Sequence, residues 1–301
     1  MYKSNLTITV IILHYGDFSL TRECIDSVLK STYSHFDILV VDNASPNNSF
    51  KQLQKKYLSH KKIQLVRSKI NLLFTGGFNY GAQYAKGKYI VLLSNDIVVH
   101  HDWLLHLVHC FQMQPKSLIQ PKIMTYRDRR IIDNVGGTYN IFGFGRGVGG
   151  GEIDRGQYDR YMPLSFTSAT TCAIDRKWYL SLGGYDEWFA SHYEDVDLSL
   201  RVKKEGGICF TCWQSTIYHK GSMTYKKYVP NKDVMFHVRK NRLQLIVKNY
   251  KGLEKIVRLT FVLVTNFISI MVDLSRLNFS YAYITTQATI VGLFRLSWRK
   301  E

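Results

Sequence analysis

Continuous apolar runs alternate with helically spaced apolar residues along the first hundred residues of the chain. The run from Leu6 to His14 is rich in β-branched residues, which is typical of a strand buried on both faces. The apolar residues of Leu20–Leu29 have helical spacing, and Asp17 or Ser19 is available as the N-terminal cap of this predicted helix. A strand followed by an amphipathic helix is the first half of a βα unit.

The βα pattern continues to about residue 100. The further elements that it predicts are a strand at Phe36–Val41, a helix at Phe50–Leu58, and strands at Ile63–Val66 and Tyr89–Leu93. Alternating strands and helices favour an α/β fold with a mostly parallel, Rossmann-like sheet flanked by helices. The ligand crevice of such a sheet lies at the carboxyl ends of its strands.

Polar side chains stand where three of these strands end, namely Asp42, Arg67 and Asp96. Because the carboxyl ends of parallel strands meet at one edge of a sheet, we expect these side chains to lie near one another. After Asn71, the Gly-rich segment Phe74–Gly81 is predicted to be a turn whose glycines let the backbone approach a ligand closely.

The middle of the chain is less regular. Residues 125–163 are rich in Gly, Arg and Asp, and we expect a mobile excursion over the crevice. Order is predicted to return at 166–174, followed by helices at 176–182 and 198–204 and a short strand at 208–211.

Composition limits the classes of partner. The chain has 301 residues, of which 46% are hydrophobic, so it can bury a large core. Its 40 Lys and Arg exceed its 23 Asp and Glu and give a formal charge of +17. Such a surface attracts anions, among them nucleotides, diphosphate lipids, nucleic acid and anionic bilayers, and charge alone does not choose among these.

Cysteine usage bears on the compartment. The chain has five cysteines and no secretory signal at its start, which favours a reducing cytoplasm. The Cys209-x-x-Cys212 pair has no companion pair, and its neighbours are strand-like, so we interpret it as structural.

The composition changes at about residue 248, where basic residues begin to alternate with long apolar segments. This pattern predicts two amphipathic helices lying on anionic lipid headgroups, and the alternative is a helical pair packed on the core. The longest apolar stretch, Leu259–Val272, is shorter than the roughly 20 residues that a spanning helix needs, so we expect attachment rather than spanning.

A few side chains have the chemistry of metal-dependent group transfer. Asp96 is a hard oxygen ligand suited to Mg²⁺ or Mn²⁺ on substrate phosphates, and His219 is a candidate second ligand. The group Glu194-Asp195-x-Asp197 opens a predicted helix, whose dipole lowers the cost of clustered negative charge. Each candidate has an alternative interpretation. Asp96 could be an ordinary turn residue, His219 a surface histidine, and the acids of the Glu194 group ordinary residues of the first turn of a helix.

Several short motifs occur in a characteristic order between Thr7 and Asn249. They are His14-Tyr15, Val40–Ser45, Asn71 with Thr75–Gly81, Leu92–Asp96, Gly183–Glu187, Tyr193–Leu198, His219-x-Gly221 and Arg239–Arg242. In order and spacing they resemble the family-2 inverting glycosyltransferases of the GT-A fold, and most closely the bacterial rhamnosyltransferase-like branch. The resemblance implies a catalytic domain at 1–247, with a nucleotide-binding half at 1–100 and an acceptor half at 101–247, followed by membrane-associating helices at 248–301.

The resemblance also implies a role for each candidate residue. Asp96 would bind a Mg²⁺ or Mn²⁺ ion together with His219, Asp195 would be the general base, and Glu194 would orient the acceptor or the base. A larger set would bind the nucleotide-sugar donor: Asp42 at the nucleoside, Tyr15 and Arg67 near the base, Arg239 at the diphosphate, and the motif residues Asn71, Gly77, Asn79 and Asn95.

Two positions depart from the family's pattern. The first carboxylate of its Asp-x-Asp element is Ser94 here, and Ala169 stands where this branch usually carries Gly. The Gln-x-x-Arg-Trp element of the processive synthases is absent, so the resemblance implies that one sugar is added per encounter.

The function expected from the resemblance is the inverting transfer of a sugar from dTDP-rhamnose or a UDP-hexose to a saccharide acceptor. The acceptor would be carried on a diphosphate lipid in bacterial capsule or O-antigen synthesis, with the enzyme peripheral on the cytoplasmic face of the plasma membrane. One alternative is a non-catalytic sugar-nucleotide-binding subunit, against which intact Asp96, Asp195 and His219 argue. The other is a basic nucleic-acid-binding protein, for which the sequence shows no recognised motif, so we expect no nucleic-acid partner.

Overall fold

A computed structural model describes residues 6–221, 227 and 229–294 of the chain. Its strands are β1 (Ile8–His14), β2 (Phe36–Asp42), β3 (Ile63–Arg67), β4 (Tyr89–Ser94), β5 (Ile97–Val99), β6 (Ser117–Thr125), β7 (Ile132–Asn134), β8 (Gly137–Tyr139), β9 (Gly145–Gly147), β10 (Thr171–Asp175) and β11 (Ile208–His219). Its helices are α1 (Phe18–Val28), α2 (Ser49–Tyr57), α3 (Leu73–Tyr84), α4 (Trp103–Met113), α5 (Arg176–Ser181), α6 (Glu194–Lys204), α7 (Asn231–Asn249), α8 (Gly252–Ser275) and α9 (Phe279–Phe294), with a 3₁₀ turn at Glu187–Phe189.

The strands form one main sheet in the order β3-β2-β1-β4-β10-β6-β11-β5, with β7 added on β6. The predicted α/β fold is confirmed, and β1 to β4 pair in parallel as the βα pattern indicates. The sheet as a whole is mixed, because β10 runs antiparallel between β4 and β6 and β5 runs antiparallel to β11. The short strand predicted at 208–211 is the first third of β11, which continues to His219.

The core consists of two apolar layers, one on each face of the sheet. One layer packs the sheet against α1, α2 and α4, and the other packs it against α3, α5 and α6. Successive side chains of a strand point to opposite faces, so Ile8, Val10 and Ile12 of β1 enter the first layer while Ile11 enters the second. The five cysteines, including Cys209 and Cys212 on β11, are free and buried, as expected of structural residues.

The Gly-rich segment predicted to be a turn is instead part of helix α3. A Cβ atom added to Gly77 would lie 2.5 Å from Leu13 Cδ1, and one added to Gly81 would lie 2.7 Å from Ile11 Cγ2. The glycines therefore let the helix lie close against β1. The close approach that these glycines permit is between α3 and the sheet, whereas the sequence predicted an approach of the backbone to a ligand.

The excursion at 125–163 carries defined structure, including β7 and the two-stranded β8–β9 ribbon. The C-terminal part of the excursion is held by Lys122 of β6. Lys122 Nζ lies 2.6 Å from a carboxylate oxygen of Asp154 and 2.6 Å from one of Asp159. The Lys122 side chain is almost fully buried, so its charge is satisfied by these two acids.

The segment from residue 248 forms two helices, α8 and α9, as its composition predicts. Helix α8 has 24 residues, which corrects the length expected from the apolar stretch alone, because the helix continues through the polar residues on both sides of that stretch. Within the described residues, α8 is the helix whose length and composition suffice to cross a bilayer. Residues 295–301 of the predicted membrane-associating segment lie outside the described residues.

Candidate active site

Asp96 and His219 lie side by side at one edge of the sheet. Asp96 is in the turn between β4 and β5, and His219 ends β11, where it pairs with Ile97 of β5. Asp96 Oδ2 and His219 Nε2 are 3.5 Å apart, and both side chains are nearly buried. A carboxylate oxygen and an imidazole nitrogen at this separation are donors of the kind that hold a divalent cation.

The other nitrogen of His219 is held by a second carboxylate. Nδ1 lies 2.5 Å from Oδ2 of Asp133, which stands on β7 within the excursion. Burial acts to lower the pKa of His219, but Asp133 and Asp96 outweigh it and raise the pKa to about 9. An imidazole whose far nitrogen donates to a carboxylate has its tautomer and ring orientation fixed, which is the usual arrangement of metal-binding histidines.

Glu194 and Asp195 occupy the first turn of α6. Asp195 Oδ1 accepts from Val196 N at 2.8 Å, and Oδ2 accepts from Ala169 N at 3.1 Å. Burial raises the pKa of Asp195 to about 6. A carboxylate with such a pKa can accept a proton and release it again near neutral pH, as a general base must.

Glu194 is more deeply buried than Asp195. Burial and the neighbouring charge of Asp195 raise its pKa well above the usual range for glutamate. Among the described residues, Glu194 Oε2 has no hydrogen-bond partner. Buried polar atoms in native proteins nearly always have partners, so this oxygen is suited to a hydroxyl group of a ligand.

The third acid of the motif, Asp197, has a different environment. Its carboxylate is fully buried and lies 2.7 Å from Arg201 Nη2 and 2.9 Å from Lys248 Nζ, and it accepts from Asn249 Nδ2. Asp197 therefore joins α6 to α7, and the acidic cluster contains two candidate catalytic carboxylates rather than three.

A short backbone segment connects the two halves of the candidate site. Ala169 N donates to Asp195, and the next residue, Thr170, accepts from Ser94 N at 3.1 Å through its carbonyl oxygen. Ser94 ends β4 two residues before Asp96. The candidate base and the candidate ion ligands thus belong to the same edge of the sheet.

Asp42 and Arg67 end the neighbouring strands β2 and β3. Arg67 Nε lies 3.0 Å from Asp42 Oδ2, and Ser45 Oγ donates to Asp42 Oδ1. Asp42 is fully buried, whereas Arg67 is 45% exposed, so a ligand meets Arg67 before Asp42. Tyr15 is half-buried beside them, since Gly16 N donates to Ser45 Oγ.

Both polar atoms of the Asn79 side chain have hydrogen-bond partners within the protein. Its Nδ2 donates to Tyr185 O and Glu187 Oε1, and its Oδ1 accepts from Tyr179 OH and Tyr185 N. A side-chain amide has two donor hydrogens and two acceptor lone pairs, so no capacity remains for a nucleotide. In this structure Asn79 bridges α3 and the 179–187 segment, and its contact with the donor stays a prediction that requires one of these bonds to break.

Other predicted donor-binding residues also have partners in the protein. Gly77 faces Leu13 of β1, as described above, and its contact with the donor stays a prediction. Asn71 is exposed, and its Oδ1 accepts from Leu73 N at the start of α3. Asn95 is buried and donates to Thr21 Oγ1 at 3.0 Å. Arg239 lies half-buried on α7, where Asp273 of α8 opposes the lowering of its pKa by burial.

The comparisons with known proteins decide the family. The family model described as "Glycosyl transferase family 2" matches residues 9–180, which is more than half of the chain. The chain belongs to glycosyl transferase family 2.

Relatives of this family-2 glycosyltransferase include an O-antigen biosynthesis protein RfbC of Myxococcus xanthus. The two are 27% identical over 226 residues, which cover 71% of this chain but only 17% of that protein. The chain therefore spans less than a fifth of the length of this curated relative.

Solved structures show the same fold at low identity. GalNAc-T7, determined with UDP, GalNAc and Mn²⁺, gives a TM-score of 0.64 at 17% identity over 82% of this chain and 48% of that one. The mannosyltransferase PcManGT from Pyrobaculum calidifontis, determined with GDP-Man and Mn²⁺, gives 0.60 at 12% identity over 98% of this chain and 89% of that one. These matches establish the GT-A-like architecture of this family-2 enzyme.

Sequence reasoning missed Asp133, the partner of His219. It is one of several acids in a segment rich in Gly, Arg and Asp, and no motif marks it. Its position depends on the pairing of β7 with β6, which brings it to the end of β11. Only tertiary structure reveals this contact.

Proposed function

We propose that this family-2 glycosyltransferase transfers one sugar from a nucleotide-sugar donor to a saccharide hydroxyl, with inversion at the anomeric carbon. The observation that carries the proposal is the position of Asp195 at the same edge of the sheet as Asp96 and His219. The raised pKa of Asp195 supports its assignment as the base.

A divalent cation, Mg²⁺ or Mn²⁺, fits the residues at this edge. Asp96 and His219 would hold it, and Asp133 would fix the imidazole of His219. The ion would supply positive charge at the leaving diphosphate. Two structural neighbours were determined with Mn²⁺, which supports this choice.

The nucleoside is assigned to the crevice at the ends of β2 and β3. Arg67 presents a half-exposed guanidinium there, Tyr15 lies beside it, and Asp42 orients Arg67 from below. Contact of Asp42 with the nucleoside remains a prediction that requires Arg67 to move. The roles of Asn71 and Asn95 near the donor and of Arg239 at the diphosphate also remain predictions.

In the proposed reaction the acceptor hydroxyl attacks the anomeric carbon opposite the leaving nucleoside diphosphate. Asp195 takes the proton of that hydroxyl, and the backbone N–H groups of Ala169 and Val196 hold the carboxylate in position. Glu194 would accept from or donate to a hydroxyl group of the acceptor through Oε2. Glu194 is buried and Asp195 is partly buried.

The donor and acceptor are proposed from resemblance to other glycosyltransferases. A dTDP-rhamnose or UDP-hexose donor and a diphosphate-lipid-linked acceptor fit the motif resemblance and the name of the O-antigen relative. We propose a function in cell-surface polysaccharide synthesis on this basis.

The C-terminal helices are proposed to attach the enzyme to an anionic bilayer at the cytoplasmic face. Large apolar side chains are exposed along α8 and α9, among them Ile256, Phe261, Phe267, Ile268, Met271 and Phe279. A patch of this kind is typical of a membrane or protein contact, and the neighbouring lysines Lys251 and Lys255 favour anionic lipid. The division into a catalytic domain at 1–247 and a membrane-associating segment at 248–301 remains a prediction.

Vesicle flotation tests this attachment. The full chain should float with phosphatidylglycerol-containing vesicles, and Phe267→Lys should reduce the bound fraction severalfold. Leu58→Lys is the matched control, because Leu58 is an exposed apolar residue near the end of α2. Equal flotation of both variants would contradict a membrane contact through α8.

Calorimetric titration tests the proposed function. The full chain is titrated with dTDP-rhamnose, UDP-glucose, UDP-galactose, UDP-GlcNAc and GDP-mannose, with and without Mn²⁺. We expect one donor to bind in an Mn²⁺-dependent manner and Asp96→Ala to lose that dependence. Failure of every donor to bind, or tight binding of nucleic acid in their place, would contradict the proposal.

A further inference from the structure

The segment that precedes the candidate base has an unusual backbone. Ala190, His192 and Tyr193 have φ angles of 61°, 67° and 69°, although none of them is glycine. Such angles are unfavourable for residues that carry a Cβ atom, and they persist only where the surroundings enforce them. Tyr193 is the N-cap residue of α6, so this backbone sets the direction in which Glu194 and Asp195 leave the 187–193 loop.

A single side chain from α7 holds this loop. Asn241 Nδ2 lies 2.8 Å from Phe189 O, 2.7 Å from Ser191 O and 2.7 Å from His192 O. The side chain is fully buried. These three carbonyl oxygens determine which way the amide is turned. If the amide were flipped, Oδ1 would lie against three other acceptors and no hydrogen bond could form.

The residues on either side of Asn241 hold α7 in place. Lys240 Nζ donates to Trp188 O at 2.9 Å, so the loop has a second attachment to the same turn of helix. Arg242 is buried and donates through Nη2 to Thr265 Oγ1 and Asn266 Oδ1 of α8, at 2.8 Å each. The turn of α7 that carries Asn241 is therefore fixed on both sides.

We propose that Asn241 is a positioning residue for Asp195, which it aims by holding the 187–193 loop in its strained conformation. The inference rests on the proposed function, in which Asp195 is the base. Asn241 touches neither of the candidate catalytic carboxylates and acts through the backbone of the loop. Without its donor, the loop relaxes towards ordinary φ values, and α6 begins in another direction.

Two variants separate the donor function of Asn241 from its volume. Asn241→Ala removes the amide, and Asn241→Asp keeps its shape but turns acceptor oxygens towards the three carbonyl groups. Asn249→Ala is the matched control, because Asn249 is a second buried asparagine of α7 and its amide donates to Asp197 rather than to the loop.

Amide hydrogen exchange and steady-state kinetics are measured on the full chain. In Asn241→Ala and Asn241→Asp we expect exchange in a peptide covering 187–193 to accelerate at least tenfold. We also expect kcat to fall at least tenfold, with the KM for the donor changed less than threefold. Asn249→Ala should keep wild-type exchange in this peptide and wild-type kcat, even if its melting temperature falls.

The outcomes that overturn the inference are distinct. Wild-type exchange in the 187–193 peptide of Asn241→Ala would contradict the anchoring, and restored kcat in Asn241→Asp would show that only volume matters. An equal loss in Asn249→Ala would assign the effect to general destabilisation of α7. Absence of turnover in the wild-type protein with every donor would instead contradict the proposed function, and the exchange data would still report on the loop.

Discussion

The imidazole of His219 lies with Nδ1 2.5 Å from the carboxylate of Asp133, which comes from a separate part of the chain. This contact leaves Nε2 facing Asp96. The excursion at 125–163 therefore contributes to the proposed ion site, although it provides no direct ligand.

Replacing Asp133 should weaken the ion site without removing a ligand. Loss of a carboxylate that orients a metal-binding histidine typically costs about 10–100-fold in metal affinity. We therefore expect Asp133→Asn to need at least tenfold more Mn²⁺ for half-maximal donor binding, measured by calorimetry. Asp128→Asn is the control, since this exposed acid of the same excursion pairs only with Arg130 among the charged groups described. Equal Mn²⁺ requirements in the two variants would contradict the orienting function of Asp133.

The pH dependence of turnover should report the ionisation of Asp195. Burial raises the pKa of this carboxyl to about 6, and only its ionised form can accept the proton of the acceptor hydroxyl. At saturating Mn²⁺, the value of kcat/KM should therefore be constant above pH 7 and fall about tenfold per pH unit below 6. A profile that remains flat down to pH 5, in protein whose circular dichroism is unchanged, would contradict the assignment.

Alanine at Gly77 should destabilise the fold even though alanine is the better helix former. The gain in helix propensity is about 1 kcal/mol, whereas overpacking a core contact costs about 1–3 kcal/mol. The new Cβ would lie 2.5 Å from Leu13 Cδ1, so we expect a net loss on the order of 1 kcal/mol in the free energy of unfolding by denaturant.

The double variant Gly77→Ala/Leu13→Ala provides the control for this prediction. Removal of the Leu13 methyl groups makes room for the new Cβ, so the double variant should be more stable than the sum of the two single changes predicts. Strict additivity would show that the contact with β1 is not the reason for glycine.

The first half of the fold could be predicted because its signals are local. The apolar run of β1 and the helical spacing of α1 define these elements without reference to the rest of the chain. The start of α6 at Glu194 was predicted for the same reason, since acids favour the first turn of a helix.

The remaining features depend on contacts between distant segments. The glycines of α3 have a turn-like composition, and the close packing against β1 that explains them is visible only in the tertiary structure. Asn79 belongs to one of the motifs, and its four hydrogen bonds within the protein are visible only in the tertiary structure. The contact between Asp133 and His219 spans 86 residues, and no local pattern encodes it.

The most direct test of the account is turnover by Asp195→Asn, measured with the donor and Mn²⁺ that the titration identifies. General-base assistance is worth about 10²–10⁴-fold, so the account predicts a loss of that size in kcat. It also predicts an unchanged donor dissociation constant and a wild-type product of inverted anomeric configuration. Undiminished turnover by Asp195→Asn, or a product that retains the configuration of the donor, would contradict the account.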